Sequence, residues 1–180
     1  NRKRIKRIKI PKVFKNKNSA YVIEKLPFKL TQSQNKVLSE INFDLSSNER
    51  MFRIIQGDVG SGKTIVSLLS ILNVIESGYQ CAVMSPTEIL AKQHYVLSKK
   101  IFEHADIKID FLTGKTDSKN RKDILNNLSS GKTNLLIGTH ALFQKKISFK
   151  KLGLIIIDEQ HKFGVKQRSD LAKKGGDNCD

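Results

Sequence analysis

The stretch Gln56-Gly-Asp-Val-Gly-Ser-Gly-Lys-Thr64 constrains the fold more than any other part of the chain. It fits G-x-x-x-x-G-K-[ST] at every fixed position and follows the apolar run Phe52-Arg53-Ile54-Ile55. Gly60 and Gly62 let the backbone curl until successive N–H groups face one anion. A helix opening near Lys63 adds its positive end to the same spot. This geometry needs a strand before the loop and a helix after it, which commits the chain to an α/β architecture.

The remaining pattern agrees. Phe52–Gln56 reads as a short apolar strand. Lys63–Ser77 has apolar residues near helical period and stops at Gly78. Gln80–Ser85 is a second strand, and Pro86-Thr87 opens a helix running to about His104. Ile107–Leu112 is a third strand, and Asp117–Ser130 a helix stopped by Gly131. Asn134–Gly138 is a fourth strand followed by a short helix, and Leu154–Ile157 a fifth. Alternating strands and helices with apolar strands predict a parallel sheet sandwiched by helices.

Composition enters through charge. The 33 basic and 17 acidic residues give +16. Nine of the bases (Arg2, Lys3, Arg4, Lys6, Arg7, Lys9, Lys12, Lys15, Lys17) fall before residue 18 with no acid among them, and the remaining chain is still basic. A surplus of this size favours a polyanionic partner such as nucleic acid. Residues 1–25, interrupted by Pro11, read as a basic linker or the tail of an upstream domain, and residues 26–180 as the folded lobe. Cys81 and Cys179 lie far apart, without metal-ligand spacing. No apolar run reaches membrane-spanning length, and the expected location is the cytoplasm.

The loop residues Gly57, Asp58, Val59, Gly60, Ser61, Gly62, Lys63 and Thr64 read as a nucleoside-triphosphate cradle. Lys63 would reach the β- and γ-phosphates, and the Thr64 hydroxyl would ligate Mg²⁺. The second acid such a site needs stands in Leu154-Ile-Ile-Ile-Asp158-Glu159, an apolar strand ending in two carboxylates. Asp158 would hold Mg²⁺, and Glu159 would act as general base toward the attacking water. His94 and His104 read as structural or solvated.

The string "DEQHKFGVKQR", from Asp158 to Arg168, resembles the DExH motif II region of the bacterial RecG helicase family, a branch of superfamily 2. "LPFKLTQSQ" (26–34), "QGDVGSGKT" (56–64), "SPTEILAKQH" (85–94), "LTGK" (112–115) and "SSGKTNLLIGTHALFQ" (129–144) resemble its other first-lobe motifs, in order. The resemblance implies a RecA-like lobe that binds ATP and Mg²⁺ and works on branched or forked DNA in recombination, repair and replication-fork rescue, as a monomer. It makes Gln34 the reader of the adenine edge, with Phe28 as a stacking platform. It places Thr87, Gly114, Thr139 and His140 on DNA, and it gives Gln160 and His161 the coupling of the γ-phosphate to a second lobe. Lys162 stands where the family string has Arg, and Ser33 where Ala is usual. The family's second lobe with its arginine finger, and its upstream wedge domain, have no counterpart in these 180 residues. Transcription-repair coupling translocases share the loop and the "FGV" string but carry DEEH, so Gln160 and Ser61 favour RecG. A nucleotide- and nucleic-acid-binding module without turnover is the alternative for this stretch alone.

Overall fold

The computed structural model describes residues 8–14, 17–58 and 60–180. Four strands build the sheet: β1 Gln80–Met84, β2 Ile109–Leu112, β3 Leu135–Gly138 and β4 Leu152–Ile157. Their order is β2-β3-β1-β4, and each neighbouring pair is parallel. Successive residues of a strand face opposite sides. Cys81 and Val83 of β1 accordingly join one apolar cluster while Ala82 and Met84 join the other. Every residue of β1 and β3 is buried, as expected where both faces are covered.

The helices are α1 Lys17–Lys25, α2 Gln32–Ser46, α3 Lys63–Glu76, α4 Glu88–Ile101, α5 Ser118–Ser130 and α6 Val165–Lys174. α3 is apolar almost all round, and Ile65, Val66 and Leu68 through Val74 are buried. A helix of that kind belongs in the interior, and α3 packs against α1, α2, β1 and β4. Local chemistry sets the helix ends. The Asp117 side chain accepts from the Asn120 N–H to start α5, and Gly131, with φ 82°, ends it. The Thr87 hydroxyl accepts from the Leu90 N–H to start α4. The short helix expected after β3 is a single 3₁₀ turn, His140–Phe143.

One expected strand is corrected. Phe52–Gln56 does not join the sheet. The outer side of β4 is occupied by Asp180, whose N–H donates to the Gly153 carbonyl at 3.1 Å and whose own carbonyl accepts from the Ile155 N–H at 2.8 Å. Residues around 51 meet Asp180 rather than β4: the Met51 N–H donates to Asp180 Oδ1 at 2.6 Å. With no strand to bond, the run stays irregular, and Phe52 and Ile54 are 83% and 60% exposed.

The N-terminal stretch, expected as a linker or tail, lies against the lobe where it is described. Ile8 bridges Glu49 in antiparallel fashion, and Val22 of α1 is buried. The Lys9 and Lys12 ammonium groups are buried on Asp180 Oδ2, at 2.6 and 2.5 Å. Burial pushes the Lys9 amine down, with Asp180 opposing. These two cations are therefore withdrawn from the basic run that the sequence offers to a polyanion. Arg2, Lys3, Arg4, Lys6, Arg7 and Lys15 fall outside the described residues.

Candidate active site

The sheet order lines up the chain segments that leave the carboxyl ends of its strands. β2 leads to Thr113 and Gly114, β3 to Thr139 and His140, β1 to Ser85 and Thr87, and β4 to Asp158 and Glu159. Backbone bonds extend the pairing one residue past each strand: Thr139 N–H to Leu112 O (3.3 Å), Ser85 N–H to Gly138 O (3.0 Å) and Asp158 N–H to Met84 O (2.9 Å). The candidate residues thus form one row, ordered Gly114, Thr139–His140, Thr87, Asp158–Glu159, in the crevice where open α/β sheets receive ligands.

The glycine loop ends at α3. Gly60 and Gly62 have φ of 81° and 82°, the left-handed region that a side chain disfavours. No side chain caps the N-terminus of α3. The Lys63 ammonium donates to the Gly57 and Asp58 carbonyls at 2.6 and 2.8 Å, closing the loop on itself. Uncapped backbone donors beside an ammonium fit an anionic phosphate. Val59 lies outside the described residues, and Ser61 closes a turn by donating its N–H to Asp58 O at 3.2 Å.

Asp158 sits at the end of β4, and Glu159 after it takes a left-handed conformation, φ 49° and ψ 50°. This is the one non-glycine residue with positive φ among those described, and such strain is tolerated mostly where geometry is imposed. Asp158 Oδ2 lies 2.9 Å from His94 Nε2 on α4. An ionised carboxylate only accepts, so Nε2 carries the hydrogen. That bond, foremost, holds the Asp158 carboxyl below the usual carboxylate range; burial opposes it, and the Glu159 N–H and the Lys63 charge add to it. Lys63 is thus among the charges that act on Asp158. Thr64, in the first turn of α3, is half-buried. A hydroxyl and a carboxylate are the oxygen donors Mg²⁺ takes, so the residues present suit that ion. His161 Nδ1 lies 3.4 Å from Glu159 Oε2, and Gln160 opens the 3₁₀ turn Gln160–Lys162.

His94 is a residue the sequence reading missed. The sequence reads it as structural or solvated, and its ring meets the candidate metal acid 64 positions away.

Gln34 is committed within the chain. Its Oε1 accepts from the Thr31 N–H at 2.9 Å, completing a capping box at the start of α2. Its Nε2 donates to the Ser61 carbonyl at 3.0 Å, tying α2 to the loop. Phe28 is half-exposed on the segment that enters α2.

Among the candidate DNA contacts, Thr87 is exposed. Its oxygen accepts the cap bond, which leaves the O–H free to donate. Glu88 pairs with Lys115 at 2.8 Å, which brings the start of α4 to the turn holding Gly114. Thr139 is buried, whereas His140 is exposed and tilts against Phe163 with ring centroids 5.1 Å apart. Within this pair only the histidine reaches the surface. Among the described residues there is no cluster of three or more metal-ligating side chains and no helix long and apolar enough to cross a membrane.

Fold and site together define a RecA-like ATP-binding lobe. The chain belongs to the DEAD/DEAH box helicase family, whose model matches residues 31–177. Within that family the resemblance to RecG is borne out over most of the chain. It is 49% identical to the ATP-dependent DNA helicase RecG of Aquifex aeolicus over 95% of its own length and 22% of that protein. It is 49% identical to that of Bacillus subtilis over 91% of its own length and 24% of that protein. A structure of RecG bound to a three-way DNA junction superposes with a TM-score of 0.83 at 45% identity, covering 88% of this chain and 22% of that one. A hypothetical ATP-dependent RNA helicase from Sulfolobus tokodaii shares the fold, with a TM-score of 0.70 at 20% identity over 91% of this chain and 48% of that one. The chain thus spans under a quarter of the length of these RecG relatives.

Proposed function

We propose that residues 26–180 are the first lobe of an ATP-dependent DNA helicase of the RecG type, acting on branched DNA in the cytoplasm as a monomer. Residues 1–25 are a basic linker or the tail of an upstream domain, whose described part lies against this lobe. The observation that carries the reading is the convergence of the glycine loop, Lys63 and the Asp158–Glu159 pair at one end of the sheet, in a chain about half identical to RecG proteins.

The loop N–H groups from Gly57 to Thr64 and the Lys63 ammonium bind the triphosphate, the ammonium turning from the Gly57 and Asp58 carbonyls to do so. Thr64 and Asp158 hold Mg²⁺, which when bound neutralises charge on the phosphates. Glu159 takes a proton from the attacking water. Gln160 and His161 face a second lobe. Gln34 and Phe28 receive the adenine, and for Gln34 this means releasing either Thr31 or Ser61. Thr87, Gly114 and His140, with Thr139 behind them, line the path of one DNA strand, gripping phosphates more than bases.

The test is ATP hydrolysis and strand separation by a protein containing both lobes, with and without a three-way junction. Junction-stimulated hydrolysis coupled to strand separation is expected. Hydrolysis indifferent to DNA would overturn the reading.

A further inference from the structure

We infer that His94 is a positioning residue for Asp158, fixing one carboxylate oxygen so that the other is presented toward the metal. This rests on the reading of Asp158 as the Mg²⁺ acid.

Asp158 is the first residue after β4, and a carboxylate at a strand end can rotate about its side-chain torsions. The backbone holds only its main chain, through the 2.9 Å bond from its N–H to Met84 O. The side chain is held by His94 Nε2 on Oδ2, at 2.9 Å. The histidine is itself well placed to hold. It lies mid-way along α4, a 14-residue helix whose start is capped by Thr87, and its ring is largely buried, with 17% of the side chain exposed. Ser98 donates its hydroxyl to the His94 carbonyl at 2.7 Å one turn later. α4 packs on β2 and β3. A donor on a packed helix gives the carboxylate a fixed rotamer. Outer-sphere partners of this kind commonly change metal affinity by roughly 10–100-fold when removed.

The placement has a second consequence. Thr87 caps the N-terminus of the same helix, seven residues before His94, which is about two helical turns. The helix that offers its first turn to a DNA phosphate also carries the group that orients the metal acid.

The experiment is a Mg²⁺ titration of fluorescent ATP-analogue binding to wild-type, His94→Ala and His94→Gln proteins, with binding also measured in EDTA. Gln can offer an amide N–H near the position of Nε2. The expected result is a Mg²⁺ midpoint raised about 10-fold in His94→Ala, largely restored in His94→Gln, with binding in EDTA unchanged in both. Equal midpoints in all three proteins would overturn the inference. So would a loss of the same size with and without Mg²⁺, which marks general damage. If His94→Ala does not fold, a wild-type midpoint in His94→Gln supports the donor role, and a midpoint raised as far as 10-fold in that variant overturns it. Wild-type binding that ignores Mg²⁺ would instead refute the assignment of Asp158, a separate outcome.

Discussion

Gly62→Ala is a sharp probe of how the glycine loop is held. Gly62 has φ 82°, and a Cβ there would fall on Gln34 Nε2, well inside contact distance. Two costs follow. The left-handed backbone costs a non-glycine residue roughly 1–2 kcal/mol. Gln34 must also swing off the Ser61 carbonyl, which it meets at 3.0 Å, losing a bond worth roughly 0.5–1.5 kcal/mol. The total is about 1.5–3.5 kcal/mol, or about 3–14 °C in Tm for a chain of this size. Gly60 is the control: its φ is 81°, and a Cβ there meets nothing within 4 Å, so Gly60→Ala should show the backbone cost alone. In a Gln34→Ala background, Gly62→Ala should shrink to the same value, leaving a coupling of about 1 kcal/mol between positions 34 and 62. Urea unfolding of the four proteins of this cycle measures it. A Gly62→Ala cost that does not change when Gln34 is removed would refute the idea that Gln34 braces the loop.

Three further outcomes are expected. Glu159→Gln, in a protein with both lobes, should keep Mg-ATP affinity and lose turnover, because the amide cannot take the water's proton; wild-type phosphate release from this variant would remove Glu159 as the base. Asp117→Asn should keep the α5 cap but flatten acid unfolding. The Asn120 backbone N–H, foremost, holds the Asp117 carboxyl below its ordinary range, so its contribution is complete above that range and fades as pH falls through the lowered value; unchanged acid unfolding of this variant would contradict it. Asp180→Asn removes the carboxylate that pairs with two buried ammonium groups and should cost roughly 3–5 kcal/mol in urea unfolding, whereas a loss under 1 kcal/mol would show that Lys9 and Lys12 reach water.

Much of this was legible in the sequence, and the rest failed for identifiable reasons. The glycine loop, the Gly131 stop of α5 and the apolar strands β1 and β3 announce themselves, because each depends on residues close together in the chain. β4 begins at Leu152 rather than Leu154, since pairing with Gln80 extends it. Residues 52–56 carry strand-like residues but form no ladder, because pairing belongs to two segments and composition to one. The basic run hid Lys9 and Lys12 in plain view: lysine reads as solvated until a distant carboxylate such as Asp180 is brought to it. His94 was missed for the same reason, since its partner is on a different element. The left-handed Glu159 leaves no compositional trace, glutamate being unremarkable at a strand end.

The proposed function rests first on the loop at Gly57–Thr64 binding a magnesium nucleotide through Lys63. The direct measurement is a calorimetric titration of Mg-ATP into the 180-residue chain and into its Lys63→Ala variant, with phosphate release followed alongside. Among the described residues the Lys63 ammonium hydrogen-bonds to the Gly57 and Asp58 carbonyls of the loop, and Lys63 is half-buried at the start of α3, so the variant should fold as the wild type does. Weak one-to-one binding by the wild type, lost in the variant, is expected, with phosphate release near background, since an arginine finger from a second lobe is worth roughly 10³–10⁵ in rate. Equal affinity in the two proteins would contradict it.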